Sequence, residues 1–525
     1  MSPEKNHTIP LIELFDGFPF PLLAGKPDAK PVVGVTADSR QVRPGWLFVA
    51  CAGGGTDGHR YVPDAVARGA AAVVGEQVVS GLAVPYLRVG NSRRALAYLA
   101  AAFHGHPARR LVMVGVTGTD GKTTTCNLIY RILLAAGLKA GLISTVNAVI
   151  GDRVLDTGFH VTTPEAPEVQ GYLAMMLDAG LSHVVLETTS HGWAQYRVDA
   201  CEFDVGVVTN VTHEHLDYHG SYENYRAAKA RLFLSLAETL PKPTGNPRLS
   251  VLNRDDSSYA YLSGIAPGPQ TSYGLDAAAD IRAVDVRYAP SGLHFTARGQ
   301  GPDVEVSSPL IGGFNVSNCL AALTAALRGL GIDPATAADG IAALEGVPGR
   351  MERIDLGQPF TAIVDFAHTP NALRVAIETV RLLTDKRVIT VFGSAGLRDR
   401  EKRRMMAEVS AELADLTILT AEDPRTESLD AILEEMAAGA RSKGGVEEKT
   451  FWRVPDRGEA IRLGVRLAAP GDVVVACGKG HEQSMCFGTT EYLWDDRTAM
   501  RAALSGLLKM PGPQMPFLPT QKKVA

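Results

Sequence analysis

The chain has 525 residues, of which 46% are hydrophobic and 21% charged, and its formal net charge is −5. This length and apolar content predict roughly three or four domains with buried cores and exclude a wholly disordered chain. The mild negative charge argues against a nucleic-acid-binding protein. No run approaches the roughly 18 apolar residues of a membrane helix, and the N-terminus lacks the apolar core of a signal peptide. We therefore expect a cytoplasmic protein with no membrane span.

Short apolar, β-branched runs alternate along the chain with stretches of helical pattern. The runs with the clearest strand character are residues 111–116, 183–187, 204–211, 387–393, 416–420 and 472–477. The helical stretches are residues 122–136, 223–239, 400–414 and 428–441. This alternation predicts an α/β fold in which helices cover a parallel sheet.

Two breaks in composition divide the chain. The segments "FHGHPARR" and "LEGVPGRMERID" each precede a new α/β series. We therefore predict three domains, over residues 1–107, 108–346 and 347–525. Residues 240–250 are predicted to be a loop, and the proline-rich tail from residue 511 is predicted to be frayed. The six cysteines form no C-x-x-C pair, so buried, reduced thiols are expected.

A glycine-rich turn between a predicted strand and a predicted helix has the character of a phosphate-binding loop. The stretch "GVTGTDGKTTT" begins at Gly115 and departs from the common G-x-x-x-x-G-K-[ST] fingerprint, because Val116 stands at the first glycine position. Glycines let backbone N–H groups approach phosphates, and a helix N-terminus adds partial positive charge. We predict an ATP or GTP site rather than a chance turn. Lys122 would neutralise the outer phosphates, and Thr123 would reach Mg²⁺.

Three polar residues lie at or beyond the ends of predicted strands, where open α/β sheets bind ligands. Glu187 ends the run "HVVLE", His215 follows "VVTNVTHE", and Lys229 lies one helix further on. A carboxylate and an imidazole beside a triphosphate suit a divalent metal. Taken singly, His215 fits an ordinary loop histidine and Lys229 a solvated helix lysine. As a set beside the phosphate loop they indicate a metal site.

The set resembles the Mur ligases, which build the peptide stem of bacterial cell-wall precursors. The loop "TGTDGKTTT" is similar to that family's short T-G-T-x-G-K-T version, which accounts for the irregular glycine spacing. The segment "ADSRQVRPGWLFVACAGGGTDGHRYVPDAVARGAAAVV" is similar to the uridine-nucleotide domain of the branch that adds the third peptide residue. Further motifs match in chain order: "HLDYHGSYENYRAAKARLF", "NRDD", "GGFNVSN", "GRME", "VDFAHTPNAL", "GKGHE" and "DDR".

The resemblance implies a three-domain α/β architecture. A small N-terminal α/β domain would bind the UDP-sugar, a central P-loop ATPase domain with a parallel sheet would bind ATP, and a C-terminal Rossmann-like domain would bind the amino acid. In the implied reaction a carboxylate attacks the γ-phosphate of ATP, and an amine then displaces phosphate from the acyl phosphate. The implied partners are a UDP-MurNAc-dipeptide and a diamino acid, and a monomer is expected.

The resemblance also assigns residues. Thr123 and Glu187 would hold one Mg²⁺ and His215 a second, while Lys229 matches the lysine that CO₂ carbamylates, which turns a cation into an anion able to support a metal. With Glu187, His215 and Lys229, Lys122 would complete the catalytic set by neutralising the outer phosphates. The implied contacts to the ATP phosphates are Gly118, Thr119, Asp120, Gly121, Lys122, Thr123 and Thr124. The remaining ATP contacts would be Asn315 at the adenine, Asp365 at the ribose and Arg350 at the phosphates. The implied contacts to the UDP-substrate are Ser39, Thr56, Thr162, Thr163, Thr189, Gln195 and Arg197.

The acceptor pocket is implied by two stretches, "GSAGLRDREKR" and "EDPR", with part of "GKGHE". A guanidinium at Arg425 would grip the second carboxylate of meso-diaminopimelate, which lysine lacks. Asp423 replaces the family's asparagine, and this added carboxylate would favour a free ammonium. We rank meso-diaminopimelate first and keep L-lysine and L-ornithine as alternatives. The implied pocket residues are Arg398, Glu422, Asp423, Pro424, Arg425, Gly478 and Glu482.

Two further alternatives stay open. A folylpolyglutamate synthase shares the central and C-terminal domains but should lack the N-terminal "DSR" and "DGH" segments found here. A non-catalytic nucleotide-binding protein should have lost the metal-binding residues or the lysine. All of Lys122, Glu187, His215 and Lys229 are present.

Overall fold

The computed structural model describes residues 7–53, 56–155, 163–212, 216–289, 292–299 and 301–521. Internal contacts group the chain into two compact units. The first contains residues 1–284, 296–306 and 317–341, and the second contains residues 285–295, 307–316 and 342–525.

The N-terminal part is built on a four-stranded parallel sheet. Its strands lie in the order Gly34–Thr36, Trp46–Val49, Ala72–Gly75 and Tyr86–Arg88. Two shorter strands, Ile9–Pro10 and Pro31–Val32, pair antiparallel. The α-helices are Leu11–Leu14, Val62–Ala67 and Ser92–Phe103. The last of them begins where the Asn91 side chain accepts from the Arg94 N–H, an N-cap that satisfies a free donor of the first turn.

The central part is built on an eleven-stranded sheet. Its strands lie in the order Arg153–Leu155, Ala148–Ile150, Ala140–Ile143, His183–Glu187, Val112–Thr117, Val205–Val208, Leu249–Asn253, Gln270–Gly274, Ile281–Ala289, Gly292–Gly299 and Val304–Ser308. Val112–Thr117 runs parallel to both of its neighbours. The α-helices are Lys122–Ala135, Ala166–Asp178, Ser190–Ala194, Leu216–His219, Tyr222–Glu238, Tyr259–Ile265, Phe314–Thr324 and Pro334–Ala342.

The C-terminal part is built on a six-stranded sheet. Its strands lie in the order Glu352–Ile354, Thr361–Asp365, Val473–Cys477, Val388–Phe392, Leu416–Leu419 and Phe451–Arg453, and only the first is antiparallel to its neighbour. A hairpin joins Ser484–Phe487 to Thr490–Leu493. The α-helices are Pro370–Arg381, Glu401–Leu413, Leu429–Ser442, Arg457–Leu467 and Asp496–Leu508.

The predicted α/β alternation is confirmed, since all six predicted strands and all four predicted helices are present. The strand predicted at 204–211 ends early, at Val208. Residues 209–212 leave the sheet because their polar groups bond the loop that follows the neighbouring strand, as described below. Five of the six cysteines are buried, and none forms a disulfide. Among the described residues, no helix combines the length and the apolar character needed to cross a membrane.

The prediction of a frayed tail is wrong for residues 511–521. Leu518 is fully buried in the C-terminal core, and the Thr520 hydroxyl donates to Asp456 Oδ2 at 2.8 Å. Met515 packs beside Gly458 in a neighbouring helix. The prolines suggested an unfolded tail, but the apolar side chains between them are held by the core.

Candidate functional site

The glycine-rich loop lies between the end of strand Val112–Thr117 and the start of helix Lys122–Ala135. The segment after the neighbouring strand fixes it. The Asn210 carbonyl accepts from the Thr119 N–H at 2.7 Å, and Asn210 Oδ1 accepts from the Asp120 N–H at 2.9 Å. Thr209 Oγ1 donates to the Asp120 carbonyl at 2.6 Å. These hydrogen bonds fix the conformation of the loop. The loop lies at the C-terminal edge of the sheet, where open parallel sheets bind ligands.

Two positions in the loop require glycine for steric reasons. Gly118 has a φ of 150° and Gly121 a φ of 80°, both in the region that favours glycine. A Cβ at Gly118 would overlap Thr209 Oγ1, and one at Gly121 would overlap Asn318 Oδ1. This close approach leaves a turn of bare backbone at the helix N-terminus, which is the arrangement that cradles phosphates.

A buried hydroxyl–carboxylate pair lies directly behind the loop. Thr123 Oγ1 donates to the Glu187 carboxylate, at 3.1 Å and 3.0 Å from its two oxygens. Glu187 is 1% exposed and also accepts from the Thr145 N–H at 2.9 Å. The pair arises because Glu187 is in register with Val116 on the adjacent parallel strand. Lys122 Nζ bonds the Thr119 carbonyl at 2.7 Å, so its charge lies over the loop.

Lys229 also reaches the loop, from helix Tyr222–Glu238. Its side chain is 2% exposed, and Nζ donates to the Gly118 carbonyl at 2.5 Å. The same Nζ lies 4.5 Å from the centre of the Tyr225 ring, a cation–π distance. The Tyr225 hydroxyl is 2.9 Å from Thr119 Oγ1. Lys229, which taken singly fits a solvated helix lysine, is thus buried against the glycine-rich loop.

Four of the residues predicted for the UDP-substrate lie together. Thr163 Oγ1 donates to the Glu187 carbonyl at 3.3 Å and lies 3.1 Å from Thr189 Oγ1. Arg197 donates to the Thr163 carbonyl at 2.6 Å and to Gln195 Oε1 at 2.7 Å. The cluster bonds the Glu187 carbonyl and the loop site bonds the Glu187 carboxylate, so a group held here is close to the Thr123–Glu187 pair.

The other two described residues predicted for the UDP-substrate, Ser39 and Thr56, line a large cleft in the first unit. Its volume is about 1880 Å³, and its wall includes both N-terminal and central residues, among them Arg93 and Glu165. Thr162 and His215 lie outside the described residues. Within the described ranges no three His, Cys, Asp or Glu side chains form a metal-binding group.

The second unit contains the remaining residues predicted for ATP. Asp365 ends strand Thr361–Asp365 and accepts from the Met351 N–H at 2.7 Å. Burial raises the pKa of the Asp365 carboxyl, against the lowering effect of Arg350. The Arg350 guanidinium lies 4.3 Å from the centre of the Phe366 ring. Asn315 is buried, with its amide donating to the Ile311 carbonyl at 2.8 Å.

Most of the predicted acceptor residues follow the two strands that flank Val388–Phe392 in the six-stranded sheet. Glu422 and Asp423 come after Leu416–Leu419, and Gly478 and Glu482 come after Val473–Cys477. Glu422 is buried with no hydrogen-bond partner for Oε2 among the described residues, and a Cβ at Gly478 would overlap that oxygen. Burial raises the pKa of the Glu422 carboxyl.

Two guanidinium groups accompany this pocket. Arg398 is exposed and Arg425 is half-buried, and neither side chain has a hydrogen bond or ion pair to the part of the chain that the structure describes. The Arg425 backbone is fixed instead, since its N–H donates to the Cys486 carbonyl at 3.1 Å and its carbonyl accepts from the Gly488 N–H at 2.8 Å. The Pro424 carbonyl approaches Gly396 closely, which brings the two predicted stretches together.

Comparison with known proteins identifies the family. Models of the Mur ligase family catalytic domain, the Mur ligase middle domain and the Mur ligase glutamate ligase domain match residues 31–104, 116–326 and 349–480. A UDP-N-acetylmuramyl-tripeptide synthetase from Roseiflexus sp. (strain RS-1) is 47% identical over 494 residues, which cover 92% of this chain and 97% of that protein. The chain belongs to the Mur ligase family.

Two more relatives agree with this assignment. A UDP-N-acetylmuramoyl-L-alanyl-D-glutamate–2,6-diaminopimelate ligase from Geobacillus thermodenitrificans (strain NG80-2) is 42% identical and covers 91% of this Mur ligase and 96% of its own length. A solved structure of a ligase of the same name is 30% identical, with a TM-score of 0.66, over 95% of this chain and 99% of that one. The resemblance and the three-domain α/β class are confirmed.

Sequence reasoning missed two residues of this Mur ligase that contact the predicted sites. Tyr225 precedes Lys229 by four residues, and that spacing places both on one helix face. Lys479 is the second residue of "GKGHE", of which only the first and last were assigned. Its Nζ is 3.1 Å from both Asp423 oxygens and 2.5 Å from Glu482 Oε2. Burial alone would lower the pKa of Lys479, but Glu482 and Asp423 outweigh it and raise that pKa.

The steric fit of Gly118 can be tested. Gly118→Ala should push Thr209 away from the loop, at a cost of about 1–3 kcal/mol. Amides 119–123 should then exchange with deuterium about tenfold faster. Gly137→Ala is the matched control, because Gly137 has a φ of 71° and no atom within 4 Å of its Cβ position. Equal exchange at amides 119–123 in both variants would contradict the close-packing explanation.

Proposed function

We propose that this Mur ligase joins a diamino acid to the D-glutamate of UDP-MurNAc-L-Ala-D-Glu, in the cytoplasm, with ATP as the energy source. The reaction would be a step of peptidoglycan precursor synthesis and would pass through an acyl phosphate. One observation carries the proposal. The phosphate loop and the substrate cluster meet at Glu187, whose carboxylate is bonded to Thr123 and whose carbonyl is bonded to Thr163.

The loop residues are suited to bind a nucleoside triphosphate with Mg²⁺. Backbone N–H groups at the start of helix Lys122–Ala135 favour phosphate oxygens, and the Lys122 ammonium adds a charge. The Thr123 hydroxyl and the Glu187 carboxylate are hard oxygen donors of the kind that Mg²⁺ prefers. Bound Mg²⁺ would neutralise charge on the transferred phosphoryl group. His215 is proposed for a second Mg²⁺ on the resemblance alone.

Lys229 is proposed to carry a carbamate. Its amine is buried next to the Gly118 carbonyl, so a carbamate here would put an anion beside the loop that receives the metal. The unmodified ammonium is stabilised by the Tyr225 ring face. Tyr225 would then be a positioning residue that holds both Lys229 and Thr119.

The substrate carboxylate would be held by the cluster around Arg197. That guanidinium is mostly buried, and burial is the main cause of its lowered pKa. Its present partners are Glu165 at 2.7 Å, Gln195 and the Thr163 carbonyl. A charge-assisted hydrogen bond from such a desolvated guanidinium is stronger than one in water. The cleft lined by Ser39 and Thr56 would receive the uridine nucleotide.

The acceptor is proposed to be meso-diaminopimelate. Arg425 and Arg398 offer guanidinium groups to its second carboxylate. The added carboxylate at Asp423 would disfavour a diacid if it faced the acceptor, but it is bound to Lys479 and to the Cys486 N–H, the latter at 2.9 Å. It is therefore not available to an ammonium. L-Lysine and L-ornithine remain the competing acceptors, and the matches at the N-terminal domain disfavour a folylpolyglutamate synthase.

The decisive experiment is a phosphate-release assay with ATP, Mg²⁺ and UDP-MurNAc-L-Ala-D-Glu. We expect meso-diaminopimelate to drive release, with its mass appearing on the UDP-product, and L-lysine and L-ornithine to be weaker. Release with one of the other two would correct the acceptor. No release with any of the three would contradict the proposed reaction.

The carbamate predicts a chemical rescue. Lys229→Ala should lose activity on the order of a hundredfold, since the loss of a group that supports the metal costs several kcal/mol of the barrier. Added acetate or formate should restore part of the rate by supplying a carboxylate. Full activity of the unrescued variant would show that Lys229 has no such role.

If Arg425 binds the acceptor, its removal should change the KM for the acceptor and no other KM. Arg425→Ala should raise the KM for meso-diaminopimelate about tenfold or more, because a charge-assisted hydrogen bond contributes about 1.5–3 kcal/mol. The KM for ATP should not change. Arg404→Ala, which removes an exposed guanidinium paired with Glu408, is the control. An unchanged KM for the acceptor would remove Arg425 from the pocket.

A further inference from the structure

Lys479 lies between two carboxylates of the acceptor pocket and is itself fully buried. Its ammonium bonds both oxygens of Asp423, at 3.1 Å each, and Glu482 Oε2 at 2.5 Å. Two carboxylates and one ammonium leave this triad with a formal charge of −1. Without the ammonium, the charge facing an acceptor would be −2.

The same ion pair fixes the turn that carries Arg425. Asp423 and Arg425 have φ angles of 43° and 52°, a region that costs non-glycine residues energy. Asp423 Oδ1 accepts from the Cys486 N–H at 2.9 Å, and the Asp423 carbonyl accepts from the Gly396 N–H at 2.9 Å. Lys479 therefore holds the carboxylate that ties this turn to the hairpin strand Ser484–Phe487, while the Asp423 backbone ties the turn to the loop at Gly396.

We propose that Lys479 is a positioning residue that sets acceptor specificity through Asp423. By binding Asp423 it keeps that carboxylate from attracting a second ammonium, and it leaves Arg425 free to bind a second carboxylate. The proposal rests on the proposed function, because it concerns the choice among diamino acids at that same pocket.

A purely structural ion pair is the competing explanation. Breaking a buried pair on one side is strongly destabilising whatever its role. Loss of stability therefore does not separate the two explanations, whereas a change in the choice of acceptor does. The required readout is the ratio of kcat/KM for meso-diaminopimelate to kcat/KM for L-lysine.

The test is a double-mutant cycle in the full-length protein. Lys479→Met leaves the triad at −2, so the ratio should fall about tenfold or more. Asp423→Asn leaves it at 0, so the ratio should rise. The double variant returns the charge to −1, and its ratio should lie within about threefold of the wild type.

A matched control separates stability from specificity. Lys242 is another fully buried lysine, paired with Asp204 at 2.7 Å in the first unit. Lys242→Met should lower the melting temperature and leave the acceptor ratio unchanged. If Lys479→Met is too unstable to assay, Asp423→Asn and the double variant still decide the result.

Each outcome has a distinct meaning. A wild-type protein that is inactive with every acceptor overturns the proposed function. An active wild type whose ratio is unaltered in the Lys479 or Asp423 variants overturns the role of Lys479 alone. A wild type that works with L-lysine but not with meso-diaminopimelate also overturns it, since a neutralised Asp423 should admit the diacid.

Discussion

The parallel pairing of strand Val112–Thr117 with both of its neighbours is the constraint on which the central site depends. It places three strand ends at one edge of the sheet, with Glu187 opposite Val116 and Val208 opposite Thr117. A carboxylate from one neighbour and a polar segment from the other then meet the glycine loop. The register of these strand pairs alone brings Glu187 and the segment after Val208 within hydrogen-bond distance of the loop.

The C-terminal sheet also brings polar loop residues together at the ends of its parallel strands, but with different side chains. Its parallel strands also end at one edge, and their loops carry Glu422, Asp423, Gly478 and Glu482. Buried Arg457 supports this edge, because it bonds the Ala421 and Cys477 carbonyls, at 3.1 Å and 2.7 Å, and the Asp496 carboxylate. The Arg457 cation at the start of helix Arg457–Leu467 thus fixes the last residue before each of these loops, while a second cation, Lys479, offsets one of the two carboxylates it bonds.

Much of the fold could be predicted from the sequence, because buried parallel strands are continuous apolar runs and their helices have a clear period. The glycine-rich loop and Glu187 could be located for the same reason, since a strand end locates a residue in space. Lys479 and Tyr225 were harder, because their roles come from contacts across the fold that no local pattern encodes. The role of Asp423 depends on such a contact as well: a carboxylate in a sequence carries a charge, but whether that charge faces a ligand depends on a lysine 56 positions away.

The packed tail has a consequence for how the protein can be shortened. A chain that stopped at Met510 would uncover the apolar groove now filled by Met515 and Leu518, next to helix Arg457–Leu467. It would also remove the Thr520 hydroxyl from Asp456, the residue that caps that helix. Such a chain would expose a new apolar patch and tend to self-associate. Residues 511–521 thus cover part of the apolar core on one side of the C-terminal sheet.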